Sequence, residues 1–562
     1  MGTANRIVNT LTSPSRPISV AEFVTALSKI WRPSESYSGS QSATFGLAIS
    51  GGVDSMALAA LCSQMHSSFS NTTNSLNLEN HVSTLDFLRQ VNFRAFVVDH
   101  GVRSGSAAEA QAVAKVLEKR GLKTSILKIE WPTSDKPAEM PNFESLARKY
   151  RYQIIGKACR DHGINSLFLA HHEDDQAETV IMRLINGHKR LGLVGIKPDS
   201  EIPECYGIHG VHESGGIPLK PWRGRKAPSQ HKQDQPLQNL ALIPQPIPET
   251  GGIRLYRPFL DFGKDRLIAT CQTEGMEWFE DHTNLDPTLT PRNAIRHLYK
   301  SHTMPAALTK PALLKLSDRC RELASTQLQT AEWCLSQCSI KRFDTRSGVL
   351  NVQFNDMNDS AIPPLTDKKL VAANVLKRII MLVTPQEHVQ TSVLRSTLKR
   401  AFPELWPSEE LDSEPRTFTV AGVQFKRLTD GAKCEWFISR QPHISTAMPL
   451  ISFPPGKKSA WSDWTLYDGR YWIRMQHHCK VPLVLRPYRQ QDHNMFKNSL
   501  PIKMRNPLHE LLKDIAPVEL RYTLPAISGP GDDGKAVVLA LPTLNVGSRK
   551  GENLVKWELG VL

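Results

Sequence analysis

The sequence predicts a doubly wound α/β domain with a mainly parallel sheet, followed by a helical domain and a small α+β domain at the C-terminal end. From Thr44 onward, short apolar runs alternate with amphipathic stretches of helical length, which is typical of βαβ units. The chain has 562 residues, enough for three or four domains of roughly 150 residues each. Hydrophobic residues make up 40% of it, as is ordinary for a globular protein that buries large cores.

The alternating elements begin with the run TFGLAI at 44–49, which predicts a buried strand. A helix with one apolar face is expected to follow from Val53, because Met56, Ala57, Ala60 and Leu61 recur at helical spacing. The same alternation then predicts strands at 93–98, 124–129 and 166–170, and helices at 107–121, at 143–161 and directly after 172. Regular structure resumes at 254–260.

Changes in composition divide the chain into four parts. We expect a presequence or disordered segment at 1–40, the α/β domain at 41–300, a mostly helical domain at 301–440 and a basic domain at 441–562. Within the α/β domain, residues 197–252 contain nine prolines and a basic PWRGRK stretch, which predicts a long surface insertion.

The first 20 residues contain arginines, serines and threonines but no acidic residue. This composition suits an organellar transit peptide, and a disordered tail has the same composition. We take the first interpretation, with the mitochondrial matrix as the expected location and the cytoplasm as the alternative. The nine cysteines have no framework spacing, which fits a reducing compartment.

The net charge of +14 indicates a polyanionic partner such as a nucleic acid, although basic organellar proteins also carry such a surplus. No apolar run reaches about 18 residues, so the sequence predicts no membrane-spanning helix.

The segment SGGVDS, between the first predicted strand and helix, is the sharpest chemical signal. Two glycines allow a tight turn, and the N–H groups of the helix start form an anion site to which the two serine hydroxyls can add donors. Asp54 is placed to hold a metal ion against bound phosphates. A glycine-rich turn without a ligand is the alternative. The candidate phosphate-binding residues are Ser50, Gly51, Gly52, Val53, Asp54 and Ser55.

The segment HHEDDQAET at 171–179 follows another predicted strand. Asp175 and Glu178 are three residues apart, so they share one face of the helix that begins there. Such carboxylates can bind Mg²⁺ or an ammonium group such as that of lysine. A zinc site built on His171 and His172, or a solvated helix start, are the alternatives.

Several segments together resemble one family. SGGVDS resembles the signature of PP-loop ATP-pyrophosphatases, and the further segments narrow the resemblance to the tRNA(Ile)-lysidine synthetase family. These segments are DHGVR at 99–103, ARKYRY at 147–152, HHEDDQAET at 171–179, and Glu280, Asp281, Asn284, Arg292, Asn293 and Arg296. The resemblance covers about 45–196 and 253–296, and more faintly 482–528.

The resemblance implies an ATP-dependent ligase that joins free L-lysine to C2 of the wobble cytidine in tRNA(Ile) with a CAU anticodon. ATP would be cleaved to AMP and pyrophosphate with Mg²⁺, through an adenylated cytidine. The parts at 301–440 and 441–562 would contact the tRNA, and a homodimer is compatible with this activity. In mitochondria the target would be a tRNA that must read AUA.

The resemblance also implies roles for individual residues. Arg148 and Arg151 would otherwise be read as surface charges, and Arg103 and Arg292 as partners in salt bridges within the fold. The implied catalytic residues are Asp54, Asp175, Glu178 and Arg148; His100 joins the ATP site; Arg103, His172, Arg292 and Asn293 bind substrate; and Asp54 and Asp175 hold the metal ion.

The sequence departs from the family after Asn186–Gly187, where small residues usually follow. His188, Lys189 and Arg190 make this loop bulkier and more basic, which implies either an additional tRNA contact or the loss of a close approach. Two other functions stay open: a PP-loop tRNA thiolase, which normally needs CxxC pairs that this chain lacks, and a tRNA-binding factor without catalysis.

Overall fold

The computed structural model describes most of the chain, in two compact units. The described residues are 15–32, 43–71 (backbone only at 66–71), 91–102, 105–131, 140, 142–212, 214, 245–246, 248–279, 290–364, 366–407, 416–429, 434–444, 446–456, 460–531 and 535–562. The first unit comprises Met1–Tyr206, Gly210–Glu213 and Gly252–Ala324, and the second comprises Gly207–His209, Ser214–Gly251 and Ser325–Leu562.

The first unit is built on a six-stranded sheet. Its strands are β1 (Thr44–Ile49), β2 (Asn92–Asp99), β3 (Lys123–Lys128), β4 (Ser166–Phe168), β5 (Asp199–Glu201) and β6 (Arg254–Tyr256), in the order β3-β2-β1-β4-β6-β5. All neighbouring pairs are parallel except β5 and β6. The predicted doubly wound, mainly parallel sheet is therefore confirmed. The strand order reverses between β1 and β4, so a crevice opens at their carboxyl ends.

The helices of the first unit are α1 (Val20–Ile30), α2 (Val53–Asn71), α3 (Ser106–Lys119), α4 (Phe143–Asp161), α5 (Glu173–Ile185), α6 (Lys264–Thr273), α7 (Pro291–Ser301) and the start of α8 (Lys310–Gln337). The predicted helices in this region are confirmed as α2 to α5. Apolar side chains of α2 pack against β1 in the main core of the unit, with Met56, Leu58 and Leu61 fully buried.

The N-terminal segment contains a helix that the prediction for 1–40 did not include. Phe23, Leu27 and Trp31 of this region are buried in the main core. The helix starts with a capping box, in which the Ser19 side chain accepts the backbone N–H of Glu22 and the Ser19 N–H is donated to the Glu22 carboxylate. The predicted disorder is thus wrong for 15–32, while residues 1–14 and 33–42 lie outside the described residues.

The predicted start of the surface insertion, at residue 197, is also too early, because regular structure continues beyond this residue. Strand β5 pairs with β6 at the sheet edge, and Ile202, Cys205 and Val211 after it are buried. A three-residue edge strand is too short to give a recognisable alternation of apolar and polar residues, which explains the error. Residues 215–244 lie outside the described residues.

The second unit begins with the remainder of α8 and contains a sheet that was not predicted. Its antiparallel order is β7-β8-β11-β10-β9, and helices pack against it in one core. The elements are β7 (Ser339–Asp344), β8 (Val349–Gln353), α9 (Lys368–Met381), α10 (Arg395–Ala401), β9 (Thr417–Val420), β10 (Val423–Arg427) and β11 (Glu435–Arg440). The predicted mostly helical character of 301–440 thus needs correction: the helices are present, together with a five-stranded sheet.

The last part of the chain mixes helices and strands, as predicted for a small α+β domain. Two sheets have the orders β12-β15-β16-β17-β18 and β13-β14-β19. The elements are β12 (Ile451–Phe453), β13 (Thr465–Tyr467), β14 (Tyr471–His477), β15 (Leu483–Pro487), α11 (Asp492–Ser499), α12 (Ile502–Ile515), β16 (Pro525–Pro530), β17 (Ala536–Leu541), β18 (Val546–Gly547), α13 (Arg549–Leu554) and β19 (Val555–Val561). Among the described residues, we find no helix with the length and apolarity needed to cross a membrane.

Candidate active site

The SGGVDS segment forms the turn from β1 into α2. Gly51 has a φ of +88°, and a Cβ at this position would lie 2.8 Å from a methyl group of Val113, so only glycine fits. The hydroxyl of Ser55 donates to the Gly52 carbonyl at 2.9 Å and accepts the N–H of Ser50 at 3.2 Å. These bonds fix the turn, and the first N–H groups of α2 have no acceptor within the helix, as an anion site requires.

Asp54, in the first turn of α2, lies between two basic side chains. Its Oδ2 atom is 3.5 Å from Nε2 of His172 and 3.5 Å from Nζ of Lys264. Its Oδ1 atom is buried without a hydrogen-bond partner among the described residues. Burial opposes ionisation, but His172 and Lys264 keep the pKa of Asp54 below its usual value. The carboxylate is therefore charged and has one oxygen available for a cation.

His172 connects this turn to α5. Its Nδ1 lies 3.2 Å from the backbone nitrogen of Asp174, and its own backbone N–H is donated to Oδ2 of Asp175 at 3.1 Å, which gives the geometry of a capping box. Its Nε2 lies 3.5 Å from Asp54 and 3.6 Å from Oδ2 of Asp175. Because β1 and β4 are parallel neighbours, the residues that follow each strand meet at one edge of the sheet.

The charge of His172 depends on the carboxylates around it. Burial lowers its pKa, but the carboxylates of Asp174, Asp54 and Asp175 outweigh burial and raise the pKa to about 9. Oδ2 of Asp174 lies 3.4 Å from Nδ1, beside the backbone N–H of the same residue. Nδ1 of His172 can thus accept the backbone N–H of Asp174 when the ring is neutral. When the ring is protonated, Nδ1 can donate to the carboxylate of Asp174 instead. At neutral pH and without a ligand, the protonated form prevails.

Asp175 and Glu178, predicted on one face of α5, meet two arginines from α7. Arg296 binds Glu178 with two contacts, Nε to Oε1 at 2.6 Å and Nη2 to Oε2 at 3.1 Å, and its Nη2 lies 3.4 Å from Oδ1 of Asp175. Arg292 lies 3.7 Å from Glu178 and 3.8 Å from Asp175, and donates to Thr179 at 3.1 Å. Burial raises the pKa of Glu178, although Arg296 opposes this effect.

Asn293, also predicted to bind substrate, lies in the first turn of α7. Its side chain is buried, and its backbone N–H is donated to the Thr290 side chain at 3.1 Å as part of the helix cap. The structure thus brings Asp54, His172, Asp175 and Glu178 together with Arg292 at one end of the sheet.

Two lysines belong to this site and were not predicted. The backbone N–H of Lys264, the first residue of α6, is donated to Oδ2 of Asp174 at 3.0 Å. Nζ of Lys310, the first residue of α8, lies 2.8 Å from Asp174 and 2.9 Å from Glu173. Burial acts to lower the pKa of Lys310, but its hydrogen bonds to Asp174 and Glu173 raise it. No local motif marks either lysine.

Two neutral histidines lie near this group of charges. His100 follows β2, and burial and the charge of Arg151 lower its pKa, against the opposing charge of Asp99. Burial lowers the pKa of His171 to about 4, with Asp175 opposing and several arginines, including Arg151, contributing. Its Nδ1 atom is buried without a hydrogen-bond partner among the described residues.

Arg148 and Arg151 of the ARKYRY segment differ in their surroundings. Arg148 is about half exposed, lies 4.9 Å from the ring centre of Tyr152 and is 3.9 Å from Glu204. Arg151, which was not assigned a role, is the one whose charge acts on His100 and His171. The catalytic role of Arg148 stays a prediction. The other predicted residues Arg103, Glu280, Asp281 and Asn284 lie outside the described residues.

Comparison with known proteins identifies the class. The PP-loop domain model matches residues 21–210 and 230–302, which contain the sheet and the site described above except Lys310. This part of the chain is therefore a PP-loop domain.

Curated relatives show which members of this class the chain is similar to. The chain is 28% identical over 513 residues to the probable tRNA(Ile)-lysidine synthase of Schizosaccharomyces pombe, covering 90% of this chain and 92% of the relative. It is 31% identical over 286 residues to the tRNA(Ile)-lysidine synthase of Methylobacterium nodulans, covering 51% of this chain and 66% of that protein. These similarities confirm the resemblance to the tRNA(Ile)-lysidine synthase family.

Solved structures add a more distant likeness. A U34-tRNA thiolase from Methanococcus maripaludis is 15% identical, and the match covers 54% of this chain and 80% of that chain. Its TM-score of 0.32 is too low to establish a common fold.

Proposed function

We propose that this protein joins lysine to C2 of the wobble cytidine in tRNA(Ile) with a CAU anticodon. In the first step, the C2 oxygen of the cytidine attacks the α-phosphorus of ATP and pyrophosphate leaves. In the second step, the ε-amine of lysine attacks C2, and AMP leaves with the former C2 oxygen. The observation that carries the proposal is the meeting of Asp54, His172 and Asp175 at the carboxyl ends of β1 and β4.

The turn from β1 to α2 supports the first step, because helix N–H groups and Lys264 provide positive charge for the phosphates. Asp54 and Asp175 fit Mg²⁺, since both carboxylates approach the same nitrogen of His172 and Asp54 keeps an unpartnered oxygen. Two carboxylates are a usual protein contribution to Mg²⁺, with water and phosphate completing the shell. When bound, Mg²⁺ would neutralise charge on the phosphates.

Asp175 and Glu178 support the second step. Both carboxylates are buried and paired with Arg292 and Arg296, so an incoming ammonium group would replace these arginine contacts in a site with little competing water. The ammonium group must lose a proton before it attacks. We assign this proton to Glu178, because burial raises the pKa of this carboxyl group and makes it the better base.

The cysteines argue against the alternative of a thiolase. All nine cysteines are free thiols, and seven of them are buried. The nearest described cysteine to the SGGVDS turn is Cys271, whose sulfur lies 3.5 Å from the Val53 carbonyl. Burial raises the pKa of this thiol to about 12, so it is not a thiolate at neutral pH. The alternative of a non-catalytic tRNA-binding factor leaves the set of charged residues around Asp54 without a purpose.

Isotope transfer tests the proposed order of steps. A tRNA with a CAU anticodon would carry ¹⁸O at C2 of the wobble cytidine and react with ATP, Mg²⁺ and lysine. We expect the released AMP to carry the ¹⁸O, because the proposed intermediate bonds that oxygen to the α-phosphorus. AMP without the label, formed while cytidine is modified, would rule out the adenylated cytidine. ATP cleavage that is independent of tRNA would contradict the function as a whole.

A further inference from the structure

Three consecutive basic residues, His188, Lys189 and Arg190, follow α5 and form what we call the basic turn. All three are exposed. Within the described part of the chain, neither Lys189 nor Arg190 has an acidic side chain within ion-pair distance, whereas nearby arginines such as Arg183, Arg292 and Arg296 have partners. Neither charge therefore contributes to an ion pair within the described part of the protein.

The start of the basic turn is fixed to the end of α5. Gly187 has a φ of +74°, its N–H is donated to the carbonyl of Leu184 at 3.0 Å, and the N–H of His188 is donated to the carbonyl of Arg183 at 2.9 Å. This pair of bonds is a Schellman motif, which ends a helix at a defined angle. The chain thus leaves the helix in one direction rather than as a loose loop.

The far end of the basic turn is fixed as well. The half-buried side chain of Arg183 extends from α5 toward this end of the turn. Its Nη1 donates to the carbonyls of Gly192 and Gly195 at 3.1 and 2.9 Å. Leu193 is buried, and a Cβ on Gly192 would lie 2.9 Å from Cβ of His188. Both ends of the turn are therefore held on α5, and the turn presents its charges on a rigid support.

The basic turn and the predicted substrate carboxylates lie at opposite ends of the same helix. Helix α5 has 13 residues, which corresponds to a length of about 20 Å. Asp175 and Glu178 are in its first two turns. Stacked nucleotides advance about 3.4 Å each along a strand, so 20 Å corresponds to about six nucleotides. A nucleic acid that places a base at the carboxylates therefore has backbone phosphates within reach of the turn.

We propose that the basic turn binds backbone phosphates of the tRNA near the anticodon, and that Lys189 and Arg190 each neutralise one phosphate. The proposal rests on the proposed function, because it takes the reacting base to lie at Asp175 and Glu178. Contacts of this kind position the RNA without reading its sequence.

The experiment compares the wild-type protein with the double variant Lys189→Ala/Arg190→Ala. The matched control is Lys115→Ala/Lys119→Ala, which removes two exposed lysines from α3. The dissociation constant of the CAU tRNA is measured over a series of salt concentrations, and modification rates are measured over a series of tRNA concentrations. We expect the slope of log K against log salt to become shallower by about 1.4 to 1.8 for two lost contacts, and KM for tRNA to rise about tenfold with kcat unchanged.

The outcomes separate this inference from the function on which it rests. A double variant with the wild-type salt slope and KM, in a protein that modifies tRNA, would overturn the inference alone. An equal loss in the control would also overturn it, because any two surface charges would then have the same effect. A wild-type protein that neither binds nor modifies a CAU tRNA would overturn the proposed function, and the inference with it.

Discussion

At the scale of residues, the carboxylates of the site are already matched by cations of the protein itself. Asp54 faces Lys264 and His172, and Glu178 is bound by Arg296. Bound Mg²⁺ would take over this role at Asp54. These cations stabilise the carboxylates when no ligand is bound. Substrates must therefore replace the contacts between the carboxylates and these cations when they bind.

The first prediction concerns Asp54→Asn, which keeps the size of the side chain and removes its charge. We expect the tRNA-dependent release of pyrophosphate to fall by about 100-fold or more, as for other groups that stabilise charge in a transition state. Binding of tRNA should stay within about twofold, because the basic residues are unchanged. The control is Asp161→Asn, at the exposed end of α4. Unchanged pyrophosphate release in Asp54→Asn would refute the role of this carboxylate.

The second prediction concerns His172 and pH in the absence of metal ions and ATP. The folded pKa of about 9 lies above the usual 6.5, so the stabilisation by the protonated ring is complete below pH 6.5 and is lost as the pH rises to 9. In buffer with a chelator, the thermal midpoint of the wild type should fall over this range relative to that of His172→Gln. Parallel pH profiles of the two proteins would show that the ring is not charged in the folded state.

Much of the site could be predicted because its residues follow strand ends. Asp54 follows the end of β1 by a few residues, and His172 follows the end of β4 in the same way. Because β1 and β4 are parallel neighbours, their carboxyl ends bring these two residues together. Lys264 and Lys310 could not be predicted in this way, because they reach Asp174 from helices more than 80 residues further along the chain. No periodicity in the sequence encodes a contact of that separation.

At the scale of elements, strands β1, β2 and β4 were predictable because they are largely buried apolar runs, whereas β5 is a short polar edge strand. Helix α1 was not predicted because its signals, the helical spacing of Phe23 and Leu27 and the Ser19–Glu22 capping box, directly follow a segment with the composition of a transit peptide. The sheet formed by β7 to β11 was not predicted because its strands have six residues or fewer, and because the longer helices α8 and α9 on either side of β7 and β8 favoured a helical prediction.

The third prediction tests the charge of Glu22 in the capping box of α1. A hydrogen bond from the backbone of Ser19 and contacts with Arg266 lower the pKa of Glu22 to about 2, although burial opposes this. The stabilisation by the charge is therefore present above pH 4.5 and is lost as the pH falls to about 2. Because the group is about one-third exposed, we expect Glu22→Gln to lower the free energy of unfolding by only about 0.5 kcal/mol at pH 7.

The measurement is denaturant unfolding of both proteins at several pH values, with Glu118→Gln on the exposed face of α3 as the control. The difference between Glu22→Gln and the wild type should shrink as the pH falls below 4.5. A difference that is the same at pH 3 and pH 7 would mean that the charge of Glu22 contributes nothing.

At the scale of the whole molecule, the position of α1 limits any presequence. Its buried residues belong to the main core of the first unit, so cleavage after residue 40 would remove part of that core. We propose that residues 1–14 are the part of the chain available for removal on import into mitochondria.

The fourth prediction follows from this limit. A fluorescent protein fused to residues 1–40 should accumulate in mitochondria, and a fusion to residues 15–40 should stay in the cytosol, because the second lacks residues 1–14, the segment proposed to be removed on import. Microscopy with a mitochondrial marker gives the result. A fusion of 1–40 that stays in the cytosol would contradict the mitochondrial location and leave the chemistry unaffected.

The central claim is that this chain uses ATP to attach lysine to a tRNA, and nucleoside mass spectrometry tests it most directly. Purified protein would be incubated with ATP, Mg²⁺, isotope-labelled lysine and a tRNA transcript with a CAU anticodon, and the tRNA would then be digested to nucleosides. We predict a cytidine that carries the mass of labelled lysine, located at the wobble position and absent without ATP. No adduct, with AMP and pyrophosphate formed only in the presence of tRNA, would contradict lysine as the nucleophile. No adduct and no ATP cleavage with this tRNA would contradict the claim itself.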